Sequence, residues 1–113
     1  MEHKHHLKSL SQTDNGYIGY CAGCQSYNVA YKNSLFILSE EEFNCYRQIM
    51  LERTAMNSFF TSHGKEWLLK TPMPNYFILF ADSEINELTQ MLDEAYLLRE
   101  VEQILATPSS TNR

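Results

Sequence analysis

QSYNVAYKNSLFILSEEEF, residues Gln25 to Phe43, sets the fold. From Gln25 to Tyr31 the residues alternate, with Tyr27, Val29 and Tyr31 on one side and Ser26, Asn28 and Ala30 on the other. A period of two is that of a half-buried strand. Lys32-Asn33 then predicts a tight turn, because asparagine tolerates positive φ. SLFIL (Ser34 to Leu38) follows as a short, continuously apolar strand. Ser39 and Glu42 have the spacing of a capping box, in which a hydroxyl and a carboxylate each take one orphan N–H of a starting helix. Phe43, Tyr46, Ile49 and Met50 recur behind it at helical spacing, and Arg53, Met56 and Phe60 extend the stripe. This helix is expected to reach about Ser62, with Gly64 as its stop.

The second half repeats the plan. EWLLKT (Glu66 to Thr71) predicts a strand, Pro72 to Asn75 a turn that cannot sit inside a sheet, and YFILFA (Tyr76 to Ala81) a buried strand. Asp82 or Ser83 would cap a long helix with Ile85, Leu88, Met91, Leu92, Ala95, Leu98, Val101 and Leu105 on its apolar side. A shift of about 42 residues lays Leu35–Leu38 on Phe77–Phe80 and Glu42 on Glu84. The expected fold is therefore α+β: two β-β-α units forming one mostly antiparallel sheet, with both helices packed on one face. An extra strand is expected at Tyr17 to Tyr20. Residues 1–15 read as a flexible polar leader, 16–106 as a single α+β domain and 107–113 as a disordered tail. Helices cover only one face of a two-layer domain, so the apolar strands need a cover on the other. The leader, the end of the long helix, or a second copy in a homodimer would each serve.

Composition narrows the function classes. At 113 residues with 43% hydrophobic and 20% charged residues, the chain suits one folded domain and not a disordered segment. Its net charge of −5 and scattered Lys and Arg lack the basic stripe that phosphate neutralisation requires, so nucleic acid is an unsuitable partner. No secretory h-region follows the polar start, and the apolar run Tyr76–Ala81 is far short of the ~20 residues of a bilayer-spanning helix. A cytoplasmic protein without a membrane partner is expected.

Cys21-Ala22-Gly23-Cys24 is the one motif with chemical content. Two thiols at this spacing meet on one tight turn, for which Gly23 would supply a positive φ. Such a pair serves as two ligands of a tetrahedral zinc site or as a dithiol/disulfide couple. The redox reading wants a helix N-terminus to lower a thiol pKa, and here a strand follows. The zinc reading fits the knuckle of a zinc ribbon, but a ribbon needs a second cysteine pair. Further ligands would come from Cys45 or from His3, His5 and His6 if the leader folds back, or from a second chain. The plainest alternative is a reduced, uncoordinated pair, with no cofactor at all. His63 beside Gly64 suits a helix end, Cys45 a small buried apolar site, and Glu40–Glu42 the positive end of a helix dipole. No phosphate loop, nucleophile elbow or His-Glu-x-x-His motif occurs, so no catalytic residue is assigned.

Taken whole, YCAGCQSYNVAYKNSLFILSEEEF resembles a family of small bacterial proteins of the Bacteroidetes type, a domain of unknown function. Its pattern is a Cys-x-x-Cys, an aromatic strand ending in Asn, an apolar strand and a Ser-capped acidic helix start. The resemblance implies a bacterial, cytosolic, single-domain protein and carries no activity or ligand. The sequence thus points first to a non-enzymatic protein-binding or regulatory module, possible as a homodimer. A small structural-zinc protein using Cys21 and Cys24 is the alternative, and a thiol redox protein the second.

Overall fold

The structure, a computed structural model, describes residues 7–53, 57–58, 64–65 and 67–106. The fold is α+β, with two helices as expected. Strands β1 (Leu7–Gln12), β2 (Gly16–Cys21), β3 (Ser26–Tyr31) and β4 (Ser34–Leu38) form an antiparallel sheet in that order. Helix α1 (Glu40–Glu52) follows. Strands β5 (Asn57–Ser58), β6 (Trp67–Lys70) and β7 (Phe77–Phe80) form a second antiparallel sheet, and α2 (Asp82–Ala106) closes the chain.

The single expected sheet is thus corrected to two. No backbone hydrogen bond joins β4 to β7, and each remains an edge of its own sheet. Hydrophobic periodicity identifies strands but carries no information on which edges meet. A second correction concerns the leader. Residues 7–12 form β1, paired with β2 from Leu7↔Cys21 to Gln12↔Tyr17, with a register shift between Ser9 and Ser11. Their polarity disguised them because β1 is an edge strand whose polar side chains have specific partners. Lys8 Nζ meets Glu102 at 2.8 Å, and the Ser11 hydroxyl donates to Glu94 at 2.7 Å. At the shift Leu10 turns into the core.

Both helices lie on one face of the four-stranded sheet, α2 over β1 and β2, α1 over β3 and β4, and they pack on each other. Between the layers lie Ile18, Tyr27, Val29, Phe43, Met50, Ile85, Leu88 and Leu92. The Tyr27 and Phe43 rings stack at 4.0 Å. Leu69 and Phe80 carry the core under the second sheet. No helix among the described residues is long and apolar enough to cross a membrane.

Each helix start uses a glutamate at the third position. Ser39 Oγ accepts the Glu42 N–H at 3.1 Å, while the Glu42 carboxylate accepts the Ser39 N–H at 2.9 Å. At α2 the Glu84 carboxylate accepts the Ala81 N–H at 2.8 Å, so neither Asp82 nor Ser83 is the cap. Helix α1 stops at Glu52, ten residues before the expected end, because Arg53 adopts the left-handed conformation (φ 58°) and its N–H returns to Ile49 O. The guanidinium then reaches Asn86 at 2.6 Å and lies over Trp67. Met56, Phe60 and Ser62, expected on the same helix, lie outside the described residues. The turn between β3 and β4 takes its positive φ at Lys32 (52°), not at Asn33.

Helix α2 keeps its expected buried stripe from Ile85 to Ala95. Beyond it Leu98, Val101 and Leu105 are exposed, together with Leu97 and Ile104.

Candidate functional site

The turn between β2 and β3 carries the thiol pair. Pairing persists to Cys21↔Ser26, and the turn closes through Gln25 at φ 54°, the positive φ that was expected of Gly23. Cys21 ends a strand and is buried, whereas Cys24 stands exposed in the turn. The Cys24 N–H donates to Cys21 Sγ at 3.3 Å. The hydrogen bond between the two thiols, then burial and the Cys21 charge, pushes the Cys24 thiol above its ordinary pKa. A redox nucleophile requires the reverse shift, and the pair lies between two strands and not at a helix N-terminus. Leu7, Cys21, Cys24, Ser26, Asn28 and Ile37 line a hollow of about 240 Å³ at this corner.

Among the described residues no group of three or more His, Cys, Asp or Glu side chains converges to hold a metal. Cys45, read as a buried apolar residue or a further ligand, is exposed on α1 and joins no such group. His3, His5, His6 and His63 lie outside the described residues.

A second feature lies between the two sheets. Asn33 to Leu38, Glu42, Thr71 to Met73, Tyr76 and Ile78 line an open, mostly apolar groove of about 420 Å³. On the side of β4 turned away from the helices, Leu35 and Ile37 are 58% and 63% exposed. Met73 and Tyr76 are exposed on the far side. The sequence reading took Pro72–Asn75 only as a turn; Met73 between two prolines is the apolar signal that marks it as a surface.

The acidic helix start is structural. The Tyr27 hydroxyl donates to Glu40, and burial first, with the Glu40 charge adding to it, holds that hydroxyl protonated far above its ordinary pKa. Arg99 stacks over Tyr20 at 4.0 Å beside it. Arg47 likewise pairs with Asp93 at 2.8 Å and lies over Tyr96.

With this geometry in view, comparison with known families gives a match over residues 1–109 to a family of unknown function, DUF6686. The chain belongs to the DUF6686 family. No curated protein and no solved structure matches it. The match to DUF6686 spans the thiol corner, both sheets and both helices together.

Proposed function

We propose that this DUF6686 protein is a non-enzymatic binding module that associates with a second copy of itself through edge strand β4. The observation that carries the reading is that, among the described residues, no strand pairs with the outer edge of β4. From Ser34 to Leu38 it has no charge, no proline and no bulge, and it displays Leu35 and Ile37 to solvent. Sheet edges of this kind pair with another strand unless something blunts them. A second β4 has the complementary chemistry: uncharged, apolar on alternate positions and with the same main-chain edge, which no strand among the described residues occupies. Two copies related by a twofold axis would join their four-stranded sheets antiparallel through β4, burying Leu35 and Ile37 of both. The adjoining Met73 and Tyr76 add apolar area to the same patch.

Light scattering coupled to size-exclusion chromatography over a dilution series tests the reading. The expected species is a dimer, and Ile37→Lys is expected to weaken it by about a hundredfold or more, as loss of a central apolar contact does. A wild-type protein that stays monomeric at its highest soluble concentration overturns the proposal. So does a dimer indifferent to Ile37→Lys but broken by Ile104→Lys, which would move the interface to the exposed stripe of α2.

A further inference from the structure

We infer that the outer face at the end of α2 is a docking surface for a basic amphipathic helix of another protein. Leu97, Leu98, Val101, Ile104 and Leu105 lie on its last turns, and Ile104 and Leu105 are 68% and 79% exposed. They are not overflow from the core. A helix turns about 100° per residue, so Leu97 and Ile104, two and nine residues on from buried Ala95, stand on the opposite side of α2. Leu97, Val101 and Ile104 follow one another at steps of four and three, the spacing that seats a second helix. Contiguous exposed apolar surface of this kind marks an interaction site.

The charges around the stripe select the partner. Helix α2 carries seven carboxylates and one base, Arg99, which is turned over Tyr20 toward the sheet. Asp93 and Glu94 precede Leu97 by one turn, and Glu100 lies between Leu97 and Ile104 on one flank. Lys8 and Arg47 reach the helix from neighbouring elements, but each meets an acid there, Glu102 and Asp93. No base stands in the last turn, where the helix dipole is itself negative. The apolar stripe is therefore framed by negative potential. A second α2 would set acid against acid in either orientation, and an anionic lipid surface would be repelled. A helix whose apolar seam is bordered by Lys or Arg matches both features. Its seam buries the stripe, and its bases meet Glu94 and Glu100. The net charge of −5 draws such a partner from a distance. This surface lies on a different element from β4 and does not depend on self-association there.

The test uses the full chain and a labelled synthetic peptide of about 18 residues, five helical turns, with leucine at i, i+3, i+4 and i+7 and lysine elsewhere. Fluorescence anisotropy is expected to show saturable binding in the micromolar range, weakened by salt. The same peptide with glutamate for lysine is expected to bind at least about tenfold more weakly. Val101→Ser with Ile104→Ser changes only exposed side chains, so the variant folds, and it is expected to lose about tenfold or more in affinity. Glu100→Lys is expected to lose about fivefold. Ile37→Lys is expected to bind the peptide as the wild type does, which keeps this test separate from that of the β4 edge. No binding at millimolar peptide overturns the inference, as does equal binding of the glutamate peptide. Unchanged affinity in the serine variant overturns it too, by reducing the effect to diffuse attraction, and loss of affinity in Ile37→Lys does so by moving the peptide to β4. A wild-type dimer that the serine variant dissociates would give the stripe to a second copy. Binding to phosphatidylcholine vesicles that the serine variant abolishes would give it to a membrane. Either result overturns the inference.

Discussion

The two edges of the four-stranded sheet are built on opposite principles. At β1 the register shifts between Ser9 and Ser11, Lys8 is tied to Glu102, Ser11 to Glu94, and α2 packs across the strand. At β4 the ladder with β3 is regular through all its pairs, and the outward residues are leucine and isoleucine. A bulge and a charge are the devices by which an edge resists a foreign strand. One edge has both and the other neither. The difference lies in what each edge leaves to solvent: polarity at β1 is spent on internal partners, while Leu35 and Ile37 at β4 stay exposed.

The largest effect expected within this comparison is at Leu10. It is buried where β1 bulges, in the core with Ile18, Leu88 and Leu92. Leu10→Ala is expected to cost about 3 kcal/mol, the transfer of the lost methyl groups plus the cavity left behind. Urea unfolding should show it as a lower midpoint at unchanged slope, with the oligomeric state of the folded protein intact. Ile37→Lys is the mirror image, changing association while leaving the stability of the monomer within about 0.5 kcal/mol. If Leu10→Ala costs no more than a surface substitution, β1 is not part of the cooperative fold and the contrast between edges fails.

How much of this was legible in the sequence follows from where each signal is stored. The alternation of Tyr27, Val29 and Tyr31 and the Ser39/Glu42 box are local patterns, and both appear in the structure as read. Strand β1 was not legible, because its reasons are long-range: Ser11 is polar for the sake of Glu94, and Lys8 for Glu102. The end of α1 was missed for the same cause. Arg53 accepts a left-handed backbone, ordinarily unfavourable without glycine, in a place where its guanidinium reaches Asn86 and Trp67. At the candidate site, Cys-x-x-Cys was visible at once, but only the Leu7↔Cys21 register brings β1 beside it. The division into two sheets leaves no trace in periodicity, since β4 and β7 are apolar either way.

A smaller effect is expected at Glu84, which anchors the turn leading into β4. Its carboxylate holds Lys32 Nζ at 2.8 Å and Lys65 Nζ at 3.3 Å. Burial opposes its ionisation, but Lys32, the Ala81 N–H and Lys65 outweigh that and hold the carboxyl below its ordinary pKa. Its contribution is therefore fully present above the unfolded-state value of about 4.3 and is lost as the pH falls through the lower folded value. Glu84→Gln keeps an acceptor for Ala81 and removes the charge facing two half-exposed lysines. The expected loss is about 1 kcal/mol at neutral pH, and the gap between wild type and variant should close under acid. Urea curves at neutral and at strongly acidic pH check both parts; a gap that persists in acid would assign the effect to packing and not to charge.

The smallest effect is expected at Lys8, and it separates the two devices that guard β1. Its ammonium is largely exposed, so losing the pair with Glu102 should cost less than about 0.5 kcal/mol. Lys8→Ile removes the charge from the edge and leaves the bulge between Ser9 and Ser11 in place. Because a bulge misaligns the main-chain groups that a foreign strand would need, the variant is expected to show the same oligomeric state as the wild type by light scattering. Should it form larger assemblies, the charge and not the bulge is what keeps β1 closed. The bare edge at β4 would then differ from its counterpart by a single kind of side chain.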